Sequence, residues 1–235
     1  MSGQSRKTSS IPKASGEMPK PMPVSGQEYA GSFSVTNFVN LYYQVRDALI
    51  YSPKSVLIVG VGVGLEPSLL RYRFGMDVTT FDIDPEFGVD QVGSVHDMSM
   101  FSDGQFDLCI ASHVLEHLPF EYFEIALQEI SRVSRHALVY LPYGVRFFEF
   151  KFVRAQRQKE YGFSLTLPRR RVIDGNKPEL CGGAHYWEIG YRNFETWRIR
   201  EKISKYFIVD DMYHNRDWTY SMNFRLTSRQ NLKNT

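Results

Sequence analysis

The sequence predicts an α/β protein: a doubly wound, mostly parallel seven-stranded sheet closed by an antiparallel hairpin. Three observations predict it. Short apolar segments alternate with segments of helical period from Val35 to Leu141, the pattern of parallel strands joined by right-handed crossovers. The first of those segments, Val56-Leu57-Ile58-Val59, runs straight into Gly60, Gly62 and Gly64 alternating with valines. Near the C-terminus, Tyr206 to Met212 and Thr219 to Leu226 read as two strands joined around Asn215-Arg216-Asp217, which is hairpin grammar.

The elements follow in chain order. Residues 1–32 are rich in Ser, Pro, Gly and Lys, with prolines at 12, 19, 21 and 23. Such a composition buries too little apolar surface to offset ordering entropy, so a disordered tail is expected. Val35 to Ile50 places Val35, Phe38, Val39, Tyr42, Val45 and Leu49 at helical spacing and should pack beside the first strand. After the glycine turn, Leu65 to Phe74 reads as a helix that tolerates Pro67 in its first turn. Strand, glycine turn and helix N-terminus together form a cradle for a ligand.

Asp77 to Phe81 reads as the second strand, ending in Asp82-Ile83-Asp84-Pro85. Gln91 to Val95 reads as a short third strand, followed by His96-Asp97-Met98, and Phe106 to Ala111 as the fourth. An amphipathic helix is expected over Phe120 to Val133, then a fifth strand over Ala137 to Leu141, stopped by Pro142. From Tyr143 to Arg192 the alternation breaks down in an aromatic and basic insert. A last helix is expected over Phe194 to Ser204.

Composition sets the bounds. A chain of 235 residues with 43% hydrophobic and 23% charged residues suits one ordinary globular domain with an appendage. The formal charge of +2 is too small to argue for nucleic acid. Two cysteines, Cys109 and Cys181, make no disulfide framework, and a reducing, cytoplasmic setting is expected. No apolar run reaches the ~20 residues of a membrane span, and no secretory signal is read at the N-terminus.

Two glycine-rich alternatives fail on the residues. A P-loop ends in Gly-Lys-Ser/Thr, whereas Gly64 is followed by Leu65-Glu66. A dinucleotide fingerprint needs a third glycine, and that place is Leu65 or Pro67 in the two registers. The remaining pattern, Gly60-x-Gly62-x-Gly64, resembles the class I S-adenosylmethionine-dependent methyltransferases, with the Rossmann-like fold of that family. The resemblance runs from about Lys54 to Leu141. It implies S-adenosylmethionine as cofactor and S-adenosylhomocysteine as product, with Gly60, Val61, Gly62 and Gly64 around the amino acid end. Asp82, with Ile83, matches the family's ribose-binding position, and Asp97, with Met98, its adenine-binding position. Phe106 to Pro119 matches the fourth strand and its loop, which places Ser112 and His113 against the sulfonium. The family often has an acidic residue two places before the first glycine. Here Ile58 stands there, leaving backbone carbonyls or Glu66 for the cofactor's ammonium.

Methyl transfer needs positioning, and a hydroxyl acceptor also needs a base or a metal. His113-x-x-Glu116-His117 matches the letter of a zinc-peptidase pattern, but it begins where a strand meets a loop, not inside a helix. The same residues, with His185, resemble the E-x-x-E-H set of metal-dependent O-methyltransferases acting on RNA ends or quinols, with His113 in place of the first Glu. The other reading makes Glu116 and His117 loop caps, and no metal is assigned. His185, in the Gly182 to Gly190 stretch, is the expected general base, since imidazole titrates near neutrality. Tyr143 and Glu188 stand in reserve with His113. Tyr186 and Trp187 suit either lid packing or acceptor stacking.

The basic insert from Arg146 to Lys177 holds Lys151, Arg154, Arg157, Lys159 and Arg169 to Arg171. It suits an anionic acceptor such as a nucleotide sugar, a glycan or RNA, or it is a solvated helix face with a basic loop. The expected activity is O-methylation, with N-methylation second, of a small molecule or glycan precursor. The alternatives are a metal-assisted RNA or quinol O-methyltransferase and a cofactor-binding module without transfer.

Overall fold

The computed structural model describes residues 34–62, 64–154, 159–167, 169, 171–215 and 218–230. The expected tail, Arg157, Arg170, Arg216 and Asp217 lie outside them. Strand β1 (Ser55–Val59) is followed by a short helix, β2 (Asp77–Asp82), β3 (Gln91–Val92), β4 (Phe106–Ser112) and β5 (Ser134–Pro142). Next come the hairpin β6 (Arg146–Arg154) and β7 (Lys159–Leu167), then β8 (Phe207–His214) and β9 (Ser221–Ser228). Seven strands form one sheet in the order β3-β2-β1-β4-β5-β9-β8. The first five run parallel, and β9 and β8 close the sheet antiparallel.

Side-chain alternation sorts this sheet into two cores. Val56, Ile58, Leu108, Ile110, Leu138 and Tyr140 point to one face, where they meet Tyr43 and Ala48 of helix α1 (Val35–Tyr51). Leu57, Val59, Cys109, Ala111, Val139 and Leu141 point to the other. There they meet Phe123, Ala126, Leu127 and Ile130 of a helix over Phe123–Val133, and Ile199 and Ile203 of the helix over Thr196–Tyr206. Strands buried on both faces need continuous apolar runs, which β1, β4 and β5 have.

Helix α1 is clamped to its face by a buried charge. Asp47 is fully buried; it accepts a hydrogen bond from the Tyr140 hydroxyl at 2.7 Å and from the Tyr213 hydroxyl, and it pairs with Arg46 at 2.6 Å. The Arg46 guanidinium lies over the Tyr43 and Tyr213 rings.

Several expectations need correcting. The third strand pairs for only two residues, Gln91 and Val92, and Gly93 beyond it packs so tightly on the Phe81 ring that a Cβ would collide with it. The helix after the glycine turn is α-helical only over Leu65–Ser68 and then winds as a π turn over Leu69–Arg73. The front half of the insert is a two-stranded ribbon, β6 paired with β7, and not a helix face with a loop.

Candidate functional site

The glycine turn is held by the second strand. Gly60 donates its N–H to the Phe81 carbonyl at 2.9 Å, and Val61 donates its N–H to Asp82 Oδ2 at 2.9 Å. Asp84 N–H donates to Asp82 Oδ1 at 3.1 Å. A carboxylate has about four acceptor sites, so Asp82 fixes two backbone groups and keeps lone pairs for a ligand. Gly60 has φ +78°, and a Cβ there would strike the Val114 side chain, so only glycine allows this approach. Beside it opens a cleft of about 520 Å³ lined by Val59, Gly60, Asp82, Ile83, Gly93, Ser94, Val95, Val114, His117, Leu118 and Pro119.

Behind the turn, α1 reaches the end of β4. With the Gln44 amide oriented to satisfy its neighbours, its nitrogen donates to Glu66 and its oxygen accepts from Ser112 Oγ at 2.8 Å and Asn40 Nδ2 at 2.9 Å. Asn40 Oδ1 is buried without a partner. Burial pushes the Glu66 carboxyl up to about 8. Ile58, in contrast, is buried in the α1 core.

At the other side, the loop after β4 gathers imidazoles around one carboxylate. His113 adopts φ +54°, unusual for a residue with a Cβ. Its Nδ1 lies 3.3 Å from Glu116 Oε1 and its Nε2 lies 3.2 Å from Ser221 Oγ, with Trp218 and Tyr220 beside the ring. Glu116 is fully buried and neither carboxylate oxygen meets hydrogen-bond geometry. Burial alone would raise its carboxyl, but His113, His117 and His185 outweigh this and bring it below the ordinary value.

His117 Nδ1 donates to the Ala184 carbonyl at 2.9 Å, and its ring meets His185 edge-on at 4.8 Å. His185 Nδ1 donates to Glu188 Oε1 at 2.9 Å, which also accepts from the Tyr220 hydroxyl at 2.9 Å. Burial opposes the charged imidazole of His185, yet the bond to Glu188 and the charge of Glu116 raise its pKa. Glu188 is held below the ordinary carboxyl value against its own burial by His185, Tyr220 and Cys181. Glu116, His117 and His185 each bring one donor atom within 4.8 Å of the others.

The family model described as a methyltransferase domain matches residues 57–137, from β1 to the start of β5. This chain carries a methyltransferase domain of the class I S-adenosylmethionine-dependent type over those residues. The methyltransferase resembles in fold a protein from Pyrococcus horikoshii, with a TM-score of 0.54 at 14% identity, covering 86% of this chain and 95% of that one. It also resembles an S-adenosylmethionine-dependent methyltransferase from Clostridium acetobutylicum, with a TM-score of 0.51 at 6% identity, covering 84% and 93%. No curated protein matches the sequence significantly. No helix among the described residues is long and apolar enough to cross a membrane.

In this methyltransferase, Gly60, Asp82 and Ile83 line the cleft together with His117, which the sequence left open between a metal-ligand set and a loop cap. Asp97 is exposed and is not among the residues that line the cleft, and its hydrogen bonds with Ser99 hold its carboxyl below the ordinary value. Met98 departs from its expected place: its side chain is fully buried in the core and its N–H goes to Glu129 at 2.8 Å. Ser112 faces Asn40 and Gln44. Tyr143 packs on His214 at 4.5 Å. Tyr186 and Trp187 are buried, and Trp187 packs on Phe120 and Phe123, so lid packing prevails over acceptor stacking. Asn40, Gln44, Ser221 and Tyr220 were missed. They reach the site from far along the chain, and no local pattern marks them.

Proposed function

We propose that this methyltransferase transfers a methyl group to an oxygen of a small acceptor presented to the imidazole cluster after β4. One observation carries the reading: the glycine turn with Asp82 and the histidine loop with His117 line the same cleft. The residues present fit the cofactor. The Gly60 turn leaves the room that a side chain would fill, Asp82 keeps free lone pairs for two hydroxyls, and Glu66 and Asn40 Oδ1 offer acceptors for an ammonium. S-adenosylmethionine, when bound, supplies an already activated methyl group.

The chain's own residues do the rest. Gly60, Val61, Gly62, Gly64 and Asp82 position, and Ser112 with Gln44 orients the loop at the amino acid end. His113 stands between this end and the cluster. His117 and His185 have their Nδ1–H groups committed to Ala184 and Glu188. Each neutral ring therefore carries its lone pair on Nε2, so the cluster, not a single residue, handles the acceptor's proton. Tyr143 and Glu188 frame it. An anionic group on the acceptor would meet Arg169, exposed and lying over the Tyr191 ring. The test is transfer of labelled methyl from S-adenosylmethionine to a panel of hydroxylated small molecules, with and without phosphate groups. Turnover on RNA ends alone would replace this reading, and binding without transfer to any acceptor class would reduce the chain to a cofactor-binding module.

A further inference from the structure

We propose that the ribbon of β6 and β7 docks this protein on an anionic lipid surface, with its apolar face in the interfacial layer and its basic residues against the headgroups. The pairing register sorts the ribbon into two unlike faces. Side chains alternate along a strand, so Arg146, Phe148, Phe150, Phe152 and Arg154 share one face with their partners Leu167, Leu165, Phe163, Tyr161 and Lys159. That face is apolar or aromatic between cations at its two ends, and it carries no acid. The opposite face takes Phe147, Glu149, Lys151 and Val153 with Thr166, Ser164, Gly162 and Glu160. Phe148, Phe150, Leu165 and Leu167 are 51%, 50%, 54% and 44% exposed. Apolar side chains gathered in the open on one face mark a contact surface. The two strands pair with each other and with no strand of the main sheet.

Charge decides what covers that face. From Arg146 to Arg171 the sequence holds eight Lys and Arg against Glu149 and Glu160, whereas the rest of the chain holds 20 basic and 24 acidic residues. A second copy would bring like charges together. The chain's own residues 1–33 are basic as well, with Arg6, Lys7, Lys13 and Lys20 against Glu17 and Glu28. Single-stranded RNA stacks its bases on aromatic rings, and Leu165 and Leu167 offer a base no ring. An anionic bilayer matches both halves of the pattern: hydrocarbon for the phenylalanines and leucines, phosphate for the arginines and lysines.

The root of the ribbon fixes what docking brings to the surface. Gly144 N–H donates to the Ile189 carbonyl at 2.8 Å, Arg169 N–H to the Gly190 carbonyl at 3.2 Å, and Arg192 N–H to the Arg171 carbonyl at 3.3 Å. Both ends of the ribbon are thus tied to the residues that follow Glu188, the partner of His185. Docking therefore holds the histidine cluster within a strand's length of the bilayer, roughly 30 Å for a strand of this size. The inference goes beyond the proposed function and does not rest on it, because docking needs neither cofactor nor acceptor.

The experiment floats full-length protein with vesicles of phosphatidylcholine alone, or of equal parts phosphatidylcholine and phosphatidylserine. Binding is expected to the mixed vesicles only, and it should weaken as salt rises. Phe148→Ser with Leu165→Ser should weaken it at least ~10-fold, since both side chains lose apolar burial. These two residues lie outside both cores, so the double variant should melt with the parent. Arg154→Gln with Lys159→Gln should weaken binding ~10- to 30-fold, about 5-fold for each cation. Phe148→Trp should keep binding, and its added emission should move to the blue on mixed vesicles.

Failure to bind mixed vesicles overturns the proposal. In that event, a dimer that Phe148→Ser with Leu165→Ser dissociates would give the face to a second copy, and retention on single-stranded RNA would give it to nucleic acid. Full vesicle binding by the same double variant overturns the proposal too, because another surface would then make the contact. Unmoved emission of Phe148→Trp on mixed vesicles overturns it as well, whatever the stability of the serine variant.

Discussion

The Asp82 carboxylate accepts the N–H of Val61 at 2.9 Å, tying the end of the second strand to the glycine turn that follows the first. One side chain therefore shapes the turn and faces the cleft. Asp82→Ala should lose both roles. Each hydrogen bond to a charged group contributes about 1.5–3 kcal/mol, so affinity for S-adenosylmethionine should fall ~10- to 100-fold by calorimetry. Asp82→Asn should keep part of the Val61 bond and lie between. Unchanged affinity in both variants would remove Asp82 from the cofactor site.

Glu66 yields a prediction in pH. Its folded-state carboxyl titrates at about 8 against an ordinary 4.5 because it is buried. The raised value means that the folded state holds a proton that the unfolded chain releases. Stability should therefore decline as pH rises from about 4.5 to about 8 and level off above. Glu66→Gln should flatten that slope in urea melts. If Glu66 takes the cofactor's ammonium, binding at pH 7 should expel a proton, seen as a buffer-dependent heat between phosphate and Tris. Equal heats in the two buffers would dismiss this role.

The sheet was legible because the part of a strand covered on both faces must be apolar, and Val56–Val59, Leu108–Ala111 and Ala137–Leu141 are. The Gly60 turn and Asp82 were legible for the same kind of reason: they are local, and their chemistry demands a fixed spacing. The insert was not, because its many basic residues drew attention from the period of two in Phe148, Phe150 and Phe152, which marks strand β6. The surroundings of the histidines were the least legible. Ser221 lies 108 residues from His113, and Ala184 lies 67 from His117. Only the folded chain shows that Glu116 is a buried hub and not a cap.

His113 occupies a left-handed backbone position at the end of β4, where a residue with a Cβ costs of order 1–3 kcal/mol that the surrounding contacts must offset. His113→Asn keeps a residue that tolerates this conformation and removes the ring. It should melt within a few degrees of the parent and bind S-adenosylmethionine within about 3-fold. Turnover should drop on the order of 10²-fold, the usual scale for a lost acid–base or orienting group. His113→Val, branched at Cβ, should instead lose stability by about 1–3 kcal/mol. If His113→Asn turned over normally, the acceptor would have to approach from elsewhere.

The last prediction concerns Asp47, which lies away from the cleft yet fixes α1 and hence Asn40 and Gln44. Tyr140→Phe removes one donor and leaves Tyr213 and Arg46 on the carboxylate, so it should cost about 1–2 kcal/mol in urea unfolding. Asp47→Ala removes the acceptor that Tyr140 and Tyr213 share and the partner of a half-buried guanidinium, leaving the Tyr140 hydroxyl the Tyr43 carbonyl, and should cost about 1–3 kcal/mol. Tyr140→Phe and Tyr213→Phe share one acceptor, so their double variant should depart from additivity by about 0.5–3 kcal/mol. Because α1 carries Gln44 to Glu66 and Ser112, Asp47→Ala should also weaken S-adenosylmethionine binding at temperatures well below its own melting point. Affinity retained in that variant would mean that Gln44 is held by its contacts with Ser112 and Glu66 alone.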